Sequence, residues 1–325
     1  MQDAAPGRIR LRTSSVIAVV LLVIGAGLVS YYAYGYFTAS RAKAPLSVLA
    51  GDEVYVNYTG QFTNHLVFDT SMLSVAQNNA TFPKAPGFTW RGASAYKPLH
   101  ITNVGSGQVI KGFDEALIGM TANQTKSVLI PPSLGYGPIN TSLLSYLPLY
   151  QNISMVHTLT AATFQSDFGQ SPYVGLVIRD PFWGWNLQVL SSGNGTATYQ
   201  YQPVAGMLVY PYTLNSSSVA GLTGFPVKVL SISSSANNGT GLISIKNEIT
   251  SSMVNTVGGK SPTGAHFIIY GINSNGTATL NFNQPVVGRY LLFTLTVTYI
   301  SNPSTGKSTG IPGYQLYAAD SRTEL

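Results

Sequence analysis

Apolar and polar residues follow several distinct patterns along this 325-residue chain. Near the N-terminus, residues 16–36 (VIAVVLLVIGAGLVSYYAYGY) form a run without a charged side chain. A helix rises about 1.5 Å per residue, so such a run is long enough to cross the roughly 30 Å hydrocarbon core of a bilayer. Aromatic residues crowd its C-terminal end, which is typical of a membrane interface. The pattern predicts a transmembrane helix over residues 16–37.

The charges that flank this run predict its orientation. Arg8, Arg10 and Arg12 precede it, whereas Arg41 and Lys43 follow it. This bias favours a cytoplasmic segment 1–15 and an extracytoplasmic C-terminal part. A cleaved signal peptide is the alternative, although the run is long for one. We therefore expect a single-pass protein of the cell membrane whose bulk is exported.

Residues 51–60 (GDEVYVNYTG) change to a period of two. Val54, Val56 and Tyr58 fall on one face, which predicts a β-strand. Residues 127–130 form a further predicted strand that ends before a proline pair. Residues 72–97 have no regular period and indicate a loop.

Residues 113–120 (FDEALIGM) have the apolar spacing of a short helix. Asp114 and Glu115 lie in its first turn, where carboxylates complement the helix dipole. We expect this segment to be the main helix of the exported part.

From residue 138 onward, short β-like runs alternate with Asn-Gly turns. Residues 185–208 resemble residues 266–291, and a looser copy begins at Phe225. Each copy contains a run, an Asn-Gly pair and a second run, a strong signal for a β-hairpin. The turns are Asn194-Gly195, Asn238-Gly239 and Asn275-Gly276. These repeats predict hairpins within one β-rich domain, while residues 301–310 (SNPSTGKSTG) indicate a flexible linker in a C-terminal tail, 301–325.

Composition narrows the possible classes of function. Only 9% of the residues are charged, and the basic residues behind the net charge of +6 are scattered. The chain therefore lacks the basic face that nucleic-acid binding requires. It contains no cysteine, so disulfides and thiolate chemistry are excluded. Nine Asn-x-Ser/Thr sequons agree with export, although a chain rich in these residues produces many by chance.

Four motifs occur in one order between residues 51 and 137. They are YTG at 58–60, FDTS at 68–71, GQVIKGFDEALIGM at 107–120 and IPPSLGYG at 130–137. Together they resemble the signature of the FKBP-type peptidyl-prolyl cis-trans isomerases. The resemblance implies an α+β fold, in which a twisted antiparallel sheet wraps over one short helix.

A closing strand that resembles the family pattern appears only at residues 279–300 (with Asn283, Pro285 and Gly288 in place). Archaeal and bacterial relatives that carry an insert-in-flap chaperone domain have a similar separation between the flap and the closing strand. The resemblance therefore implies a discontinuous isomerase domain, 46–137 plus 279–300. Residues 138–278 are expected to form a large, mostly β, inserted domain.

The resemblance also assigns a proline-binding pocket. Asp69 is expected near the reacting carbonyl, Tyr136 is expected to donate to the substrate backbone, and Phe113 is expected to form the floor. The remaining expected substrate-binding residues are Tyr58, Phe68, Leu99, Val109, Ile110 and Phe293. Leu99 replaces an aromatic residue that is usual in the family, and Gly135 replaces the usual alanine before Tyr136.

Several of these residues have structural alternatives. Val109, Ile110 and Phe113 also suit a hydrophobic core, and Asp69 also suits the cap of a turn. Tyr58 suits a structural role in which its hydroxyl orients Asp69. The four histidines are dispersed without ligand spacing, so no metal or other cofactor is expected.

The combined prediction is an isomerase that acts on proline-containing and unfolded polypeptides at the outer membrane face. The inserted domain is expected to act as a folding chaperone. Phe182, Trp183 and Trp185 are candidates for capturing clients, although the core of a β domain is the more usual place for such side chains. The alternative is a non-catalytic binding or structural module of the cell surface on the same scaffold.

Overall fold

The computed structural model describes residues 24–34, 45–214, 216 and 218–312. The chain divides into two units, Met1–Leu46 and Ser47–Leu325. In the first unit, residues 24–34 form helix α1. Among the described residues, no helix combines the length and apolar character needed to span a membrane. The rest of the predicted span 16–37, and the segment 1–15, lie outside the described residues.

A six-stranded antiparallel sheet is the framework of the second unit. Its two central strands are β1 (Glu53–Phe62) and β17 (Leu291–Asn302), which pair along all of β1. The flanking strands are β2 (Val67–Thr70), β3 (Leu99–Ile101), β4 (Thr125–Ile130) and β18 (Lys307–Gly310). The first two pair with β1, and the last two pair with β17. Segments distant in sequence therefore meet at the centre of one sheet.

Short helices fill the connections of this sheet. Helix α2 (Leu73–Gln77) and the 3₁₀ turn Ala93–Ala95 lie within the stretch predicted as a loop. Helix α3 (Lys111–Leu117) begins two residues before the predicted helix and ends three residues before its predicted end. The chain leaves α3 through Gly119, whose φ of +81° lies in the left-handed region that ends helices. The expected sheet over one short helix is thus present.

Three four-stranded antiparallel sheets make up the inserted segment. The first contains β5 (Leu144–Pro148), β16 (Thr277–Asn281), β15 (His266–Ile272) and β14 (Gly258–Lys260). The second contains β6 (Tyr150–Ser154), β13 (Leu242–Asn247), β12 (Val227–Ser233) and β11 (Leu208–Val209). The third contains β7 (Val156–Thr160), β10 (Thr196–Gln202), β9 (Asn186–Gly193) and β8 (Val177–Arg179). Helix α4 (Ala161–Phe168) follows β7.

The three sheets repeat one plan. At the centre of each is one of the predicted hairpins, which are thereby confirmed. The first strand of each hairpin carries a β-bulge, at Leu190, Leu230 and Tyr270, and these side chains are exposed. The residues just before the bulges, Val189, Val229 and Ile269, are buried in a core shared by all three sheets. The sequence repeat therefore corresponds to a threefold structural repeat.

The two ends of the inserted segment lie side by side. The backbone N–H of Asn140 donates to Oδ1 of Asn283, and Nδ2 of Asn283 donates to the carbonyl of Asn140. The N–H of Gly288 donates to the carbonyl of Gly137. The chain thus leaves the six-stranded sheet and returns to it at nearly one point.

Two stretches differ from their predicted roles. The first residues of the predicted closing stretch 279–300 belong to β16 (Thr277–Asn281), which pairs with β5 and β15 of the insert, so pairing with β1 begins only at Leu291. The linker prediction for 301–310 was wrong, because β17 and β18 form a hairpin there. Asn302 holds that turn, since its Oδ1 accepts the N–H of Thr305. Its Nδ2 donates to the buried Asp52.

Candidate active site

One cavity of about 390 Å³ opens beside α3 and the centre of the six-stranded sheet. Its walls bring together all nine predicted site residues: Tyr58, Phe68, Asp69, Leu99, Val109, Ile110, Phe113, Tyr136 and Phe293. Gly107 and Gln108, which the sequence did not single out as site residues, complete the wall. The roles assigned to these residues remain predictions, but their common location is a property of the fold.

Four aromatic rings from four elements form the base of the cavity. Phe113 on α3 meets Phe293 on β17 edge to face, with ring centroids 5.2 Å apart. Tyr58 on β1 contacts Phe113 at 5.9 Å, and Phe68 on β2 contacts Phe293 at 5.5 Å. Edge-to-face packing is the favoured arrangement of such rings. The contacts fix the shape of an apolar hollow.

Gly60 makes this packing possible. It lies on β1, opposite Phe293 in β17 and Asp69 in β2. A Cβ atom at this position would lie 2.5 Å from Cζ of Phe68 and 3.0 Å from Cε1 of Phe293. Only glycine leaves room for both rings, which explains the glycine of the YTG motif.

Asp69 is the anionic group at the rim of the hollow. The Tyr58 hydroxyl donates to its Oδ2 over 2.6 Å, as the structural interpretation of Tyr58 predicted. Its Oδ1 accepts the backbone N–H of the next residue, Thr70, over 2.8 Å; both residues lie within β2, so this contact does not cap a turn. Burial, and then the Asp69 charge, raise the pKa of Tyr58 above its ordinary value. Tyr58 therefore stays a hydrogen-bond donor at neutral pH.

Arg91 is a partner of Asp69 that sequence reasoning missed. Its Nη2 lies 2.9 Å from Asp69 Oδ1 and also donates to the carbonyl of Thr70. Its guanidinium lies over the Tyr96 ring, 4.9 Å from the centroid. Partial burial is the largest single effect and lowers the pKa of Arg91, but the Asp69 charge together with Tyr58 and Tyr96 outweighs it, so the pKa lies above its ordinary value. No spacing signal pointed to Arg91, because it lies in the aperiodic stretch 72–97.

Tyr136 stands at the opposite rim, just after the 3₁₀ turn Pro132–Leu134. Its side chain is 46% exposed. Within the described structure its hydroxyl has no hydrogen-bond partner. Partial burial, and then the Asp69 charge, raise the pKa of Tyr136. The hydroxyl is thus a free, protonated donor that faces the cavity.

The remaining wall is aliphatic. Leu99 comes from β3, and Val109 and Ile110 lead into α3. Val109 and Ile110 are partly exposed, whereas Phe113 is buried, as the core alternative expected for all three. The cavity therefore combines an aromatic base, an aliphatic wall and two polar rim groups. In the described part of the chain, no three His, Asp or Glu side chains are grouped to hold a metal.

Comparison with protein families gives an independent result. The family model described as FKBP-type peptidyl-prolyl cis-trans isomerase matches residues 45–144. The match ends where β5, the first strand of the insert, begins. It contains every predicted site residue except Phe293.

Similar proteins come from an archaeon and from eukaryotes. A short-type peptidyl-prolyl cis-trans isomerase of Methanocaldococcus jannaschii is 35% identical over 99 residues, which cover 30% of this chain and 56% of that protein. FK506-binding protein 2 of Dictyostelium discoideum is 32% identical over 88 residues, 27% of this chain and 50% of that protein. Peptidyl-prolyl cis-trans isomerase FKBP2 of Homo sapiens is 30% identical over 93 residues, which cover 29% of this chain and 50% of that protein. The chain thus spans about half the length of these relatives.

Proposed function

Because this chain carries a domain of the FKBP-type peptidyl-prolyl cis-trans isomerase family, we propose that it catalyses the cis-trans isomerisation of X-Pro bonds in polypeptides. The observation that carries the proposal is the aromatic hollow with Asp69 and Tyr136 at its rim. The substrate class is a proline-containing polypeptide, which presents a ring of suitable size and a flanking backbone.

The chemistry needs an environment rather than a nucleophile. Rotation about an X-Pro bond must break amide resonance, against a barrier of roughly 18–20 kcal/mol. In the twisted state the amide loses conjugation and its carbonyl carries less negative charge. A dry, ring-lined hollow favours that less polar state over the planar one. Phe113 and Phe293 would pack against the proline ring.

The two rim groups would hold the substrate backbone. Tyr136 would donate its free hydroxyl to a backbone carbonyl next to the proline. Asp69, held by Tyr58 and Arg91, would face the reacting carbonyl and interact favourably with it as its negative charge falls. Both contributions depend on orientation, which fits the rigid packing around these residues.

A protease-coupled isomerisation assay on proline tetrapeptides tests the activity. Turnover well above the uncatalysed rate is expected. The alternative is a non-catalytic binding or structural module: Leu99 and the size of the insert are compatible with it, whereas the retained Asp69, Phe113 and Tyr136 argue against it. Saturable binding of the same peptides with only background turnover would establish that alternative.

We also propose that the insert captures unfolded segments. A second cleft of about 470 Å³ lies between Arg179 at the end of β8 and the strand β11. Phe182, Trp183 and the exposed Tyr210 line it. Trp185, in contrast, is buried and stacks on Trp183 with centroids 4.7 Å apart, so it belongs to the core. Aromatic surface beside free strand edges suits an extended apolar polypeptide.

Capture is measured with an unfolded client that contains no proline. The full chain is expected to suppress aggregation of this client at near-stoichiometric amounts. Unchanged aggregation would remove the capture role and leave the isomerase proposal intact.

The anchor and the location form a third part of the proposal. The uncharged run 16–36 and the arginines before it support an anchor over 16–37, with the isomerase outside the cytoplasm. Exported proteins would then be the clients. Sedimentation with membranes, and protease digestion of intact cells, test this part. A chain that washes off membranes in carbonate, or that is protected in intact cells, contradicts it.

A further inference from the structure

The insert makes a backbone ladder with the segment that precedes Arg91. The N–H of Gly87 donates to the carbonyl of Ala220 over 2.9 Å, and the N–H of Ala220 donates back to Phe88 over 2.9 Å. The N–H of Trp90 donates to the carbonyl of Ser218 over 2.8 Å. Thr89 and Val219 face each other as an antiparallel bridge. Residues 87–90 and 218–220 therefore behave as two short paired strands.

The insert side of the ladder is anchored in the insert. The carbonyl of Gly221 accepts the N–H of Gly258 on β14. Gly221 has a φ of +69°, and a Cβ atom there would lie 2.7 Å from Cα of Pro86. The contact is too close for any residue with a side chain. At this contact, the insert packs directly against Pro86, the residue before the ladder.

The other side of the ladder is held by a buried lysine. Lys84 Nζ donates to the carbonyls of Val75 and Phe82 and lies 5.5 Å from the ring centroids of both Phe88 and Trp90. Its side chain thus packs beneath the ladder. Arg91 follows directly, so its backbone has little freedom to move away from Asp69.

We infer that Arg91 is a positioning residue for Asp69, and that the insert sets the position of Arg91 through residues 218–221. The inference rests on the proposed isomerase activity. Without the guanidinium, Asp69 keeps only the Tyr58 hydroxyl on Oδ2 and the Thr70 N–H on Oδ1, so the orientation of the carboxylate is less restrained. Displacement of the ladder has the same result, because it withdraws Arg91. The insert therefore acts on peptide turnover without touching the peptide.

The first experiment is a double-mutant cycle between Arg91 and Asp69 in the full chain. Arg91→Gln is expected to lower kcat on proline tetrapeptides about tenfold with little change in KM, since it disturbs orientation rather than the hollow. Arg91→Lys, which keeps the charge, is expected to recover part of the loss. In an Asp69→Asn background, Arg91→Gln should cause no further loss. A loss of equal size in that background would show a general structural role and overturn the inference.

The second experiment perturbs the ladder from the insert. Gly221→Ala is expected to lower kcat as Arg91→Gln does, and the double variant should be no worse than Arg91→Gln alone. Gly241→Ala is the matched control. Gly241 also has positive φ, and its Cβ would lie 2.6 Å from Sδ of Met155 within the insert, a contact that involves neither residues 218–221 nor Gly258. It should leave kcat within about twofold of the wild type.

Equal losses in the two glycine variants would overturn the role of residues 218–221. If Gly221→Ala fails to fold, Ala220→Pro serves instead, because it removes the N–H that donates to Phe88. Full kcat in a folded Ala220→Pro variant would likewise overturn it. Absence of turnover in the wild type would refute the isomerase proposal itself, which separates the two failures.

Discussion

Phe113 and Phe293 meet edge to face at 5.2 Å although they lie 180 residues apart, on either side of the inserted segment. Neither ring has a polar contact to hold it, so the pair is set by the packing of α3 against β17. The base of the proposed proline site therefore depends on the insert returning the chain to the correct strand register. This dependence makes the aromatic base the first feature to test.

Phe113→Ala is expected to remove most of the activity. Loss of a buried ring costs about 3–5 kcal/mol of stability, and loss of a comparable contact in the transition state corresponds to a fall of roughly 150-fold to several thousandfold in kcat/KM. Phe164→Ala, which removes an equally buried ring from α4 in the insert, is the control. It should lower the melting temperature but not kcat/KM. Unchanged kcat/KM in Phe113→Ala would show that the pocket is misplaced.

Gly60→Ala is expected to distort the aromatic base of the hollow. The new methyl group must displace the rings of Phe68 and Phe293, and overpacking of this kind costs about 1–3 kcal/mol. Both kcat/KM and thermal stability should fall. Gly92→Ala is the matched control, since no atom lies within 4 Å of its added Cβ. Equal effects of the two substitutions would contradict the proposed contact.

Tyr136→Phe is expected to weaken activity mildly. The variant loses one hydrogen bond to the substrate, worth about 0.5–1.5 kcal/mol, and hence several-fold in kcat/KM. Because burial and Asp69 raise the pKa of Tyr136, any loss of wild-type activity from tyrosine ionisation should have its midpoint above pH 10. A pH profile of kcat/KM measures both points. A wild-type decline centred near pH 9 that disappears in Tyr136→Phe would contradict the pKa direction.

Stability is expected to fall steeply in alkali. Burial raises the pKa of Tyr212 to about 12, and burial with the Asp180 charge raises the pKa of Tyr201 further. Unfolded tyrosines ionise near pH 10, whereas these two stay protonated in the fold. The stabilisation is therefore complete below pH 10 and is lost above it, by about 1.4 kcal/mol per pH unit for each tyrosine.

Denaturant titrations between pH 8 and pH 12 measure this fall. Tyr201→Phe should reduce the slope of the free energy of unfolding against pH by the contribution of one tyrosine. The substitution also removes the hydrogen bond from Tyr201 to Asp180. An identical slope in wild type and variant would show that Tyr201 ionises in the fold.

Trp183→Ala is expected to separate the two proposed activities. It removes an aromatic wall from the insert cleft while leaving the proline hollow untouched. Suppression of aggregation should fall severalfold, and kcat/KM on tetrapeptides should not change. Tyr173→Ala removes an aromatic ring that is 61% exposed and lies outside the cleft, and serves as the control. Similar aggregation in both variants would argue against the cleft as the capture site.

The pocket was accessible from the sequence because its residues sit within motifs of fixed spacing. Tyr58 and Phe113 lie in segments whose periods predict which face is buried, and Phe68 lies in the FDTS motif. Arg91 was not accessible in this way. Its position depends on a ladder to residues 218–220, and such a long-range pairing leaves no local period.

The insert shows the same division between local and distant structure. The Asn-Gly turns predicted three hairpins correctly, because a hairpin is local. The sequence did not reveal that β5, β6 and β7 each complete a different sheet, since their partners lie far along the chain. Residues 301–310 were misassigned because their Ser, Thr and Gly content suits both a linker and a hairpin turn. The side chain of Asn302 stabilises the hairpin turn through its hydrogen bonds with Thr305.

The Asn140–Asn283 clasp has a consequence for how such a protein arises. Since both termini of the inserted body meet at one place, its acquisition, loss or replacement by another module demands little rearrangement of the host sheet. The insert of this chain also pairs with the isomerase domain at Gly87–Trp90. Replacing the insert would therefore leave the six-stranded sheet intact but would change the surroundings of the carboxylate at the rim. The insert and the isomerase domain are therefore expected to evolve together, because they also contact each other far from the junction at Asn140 and Asn283.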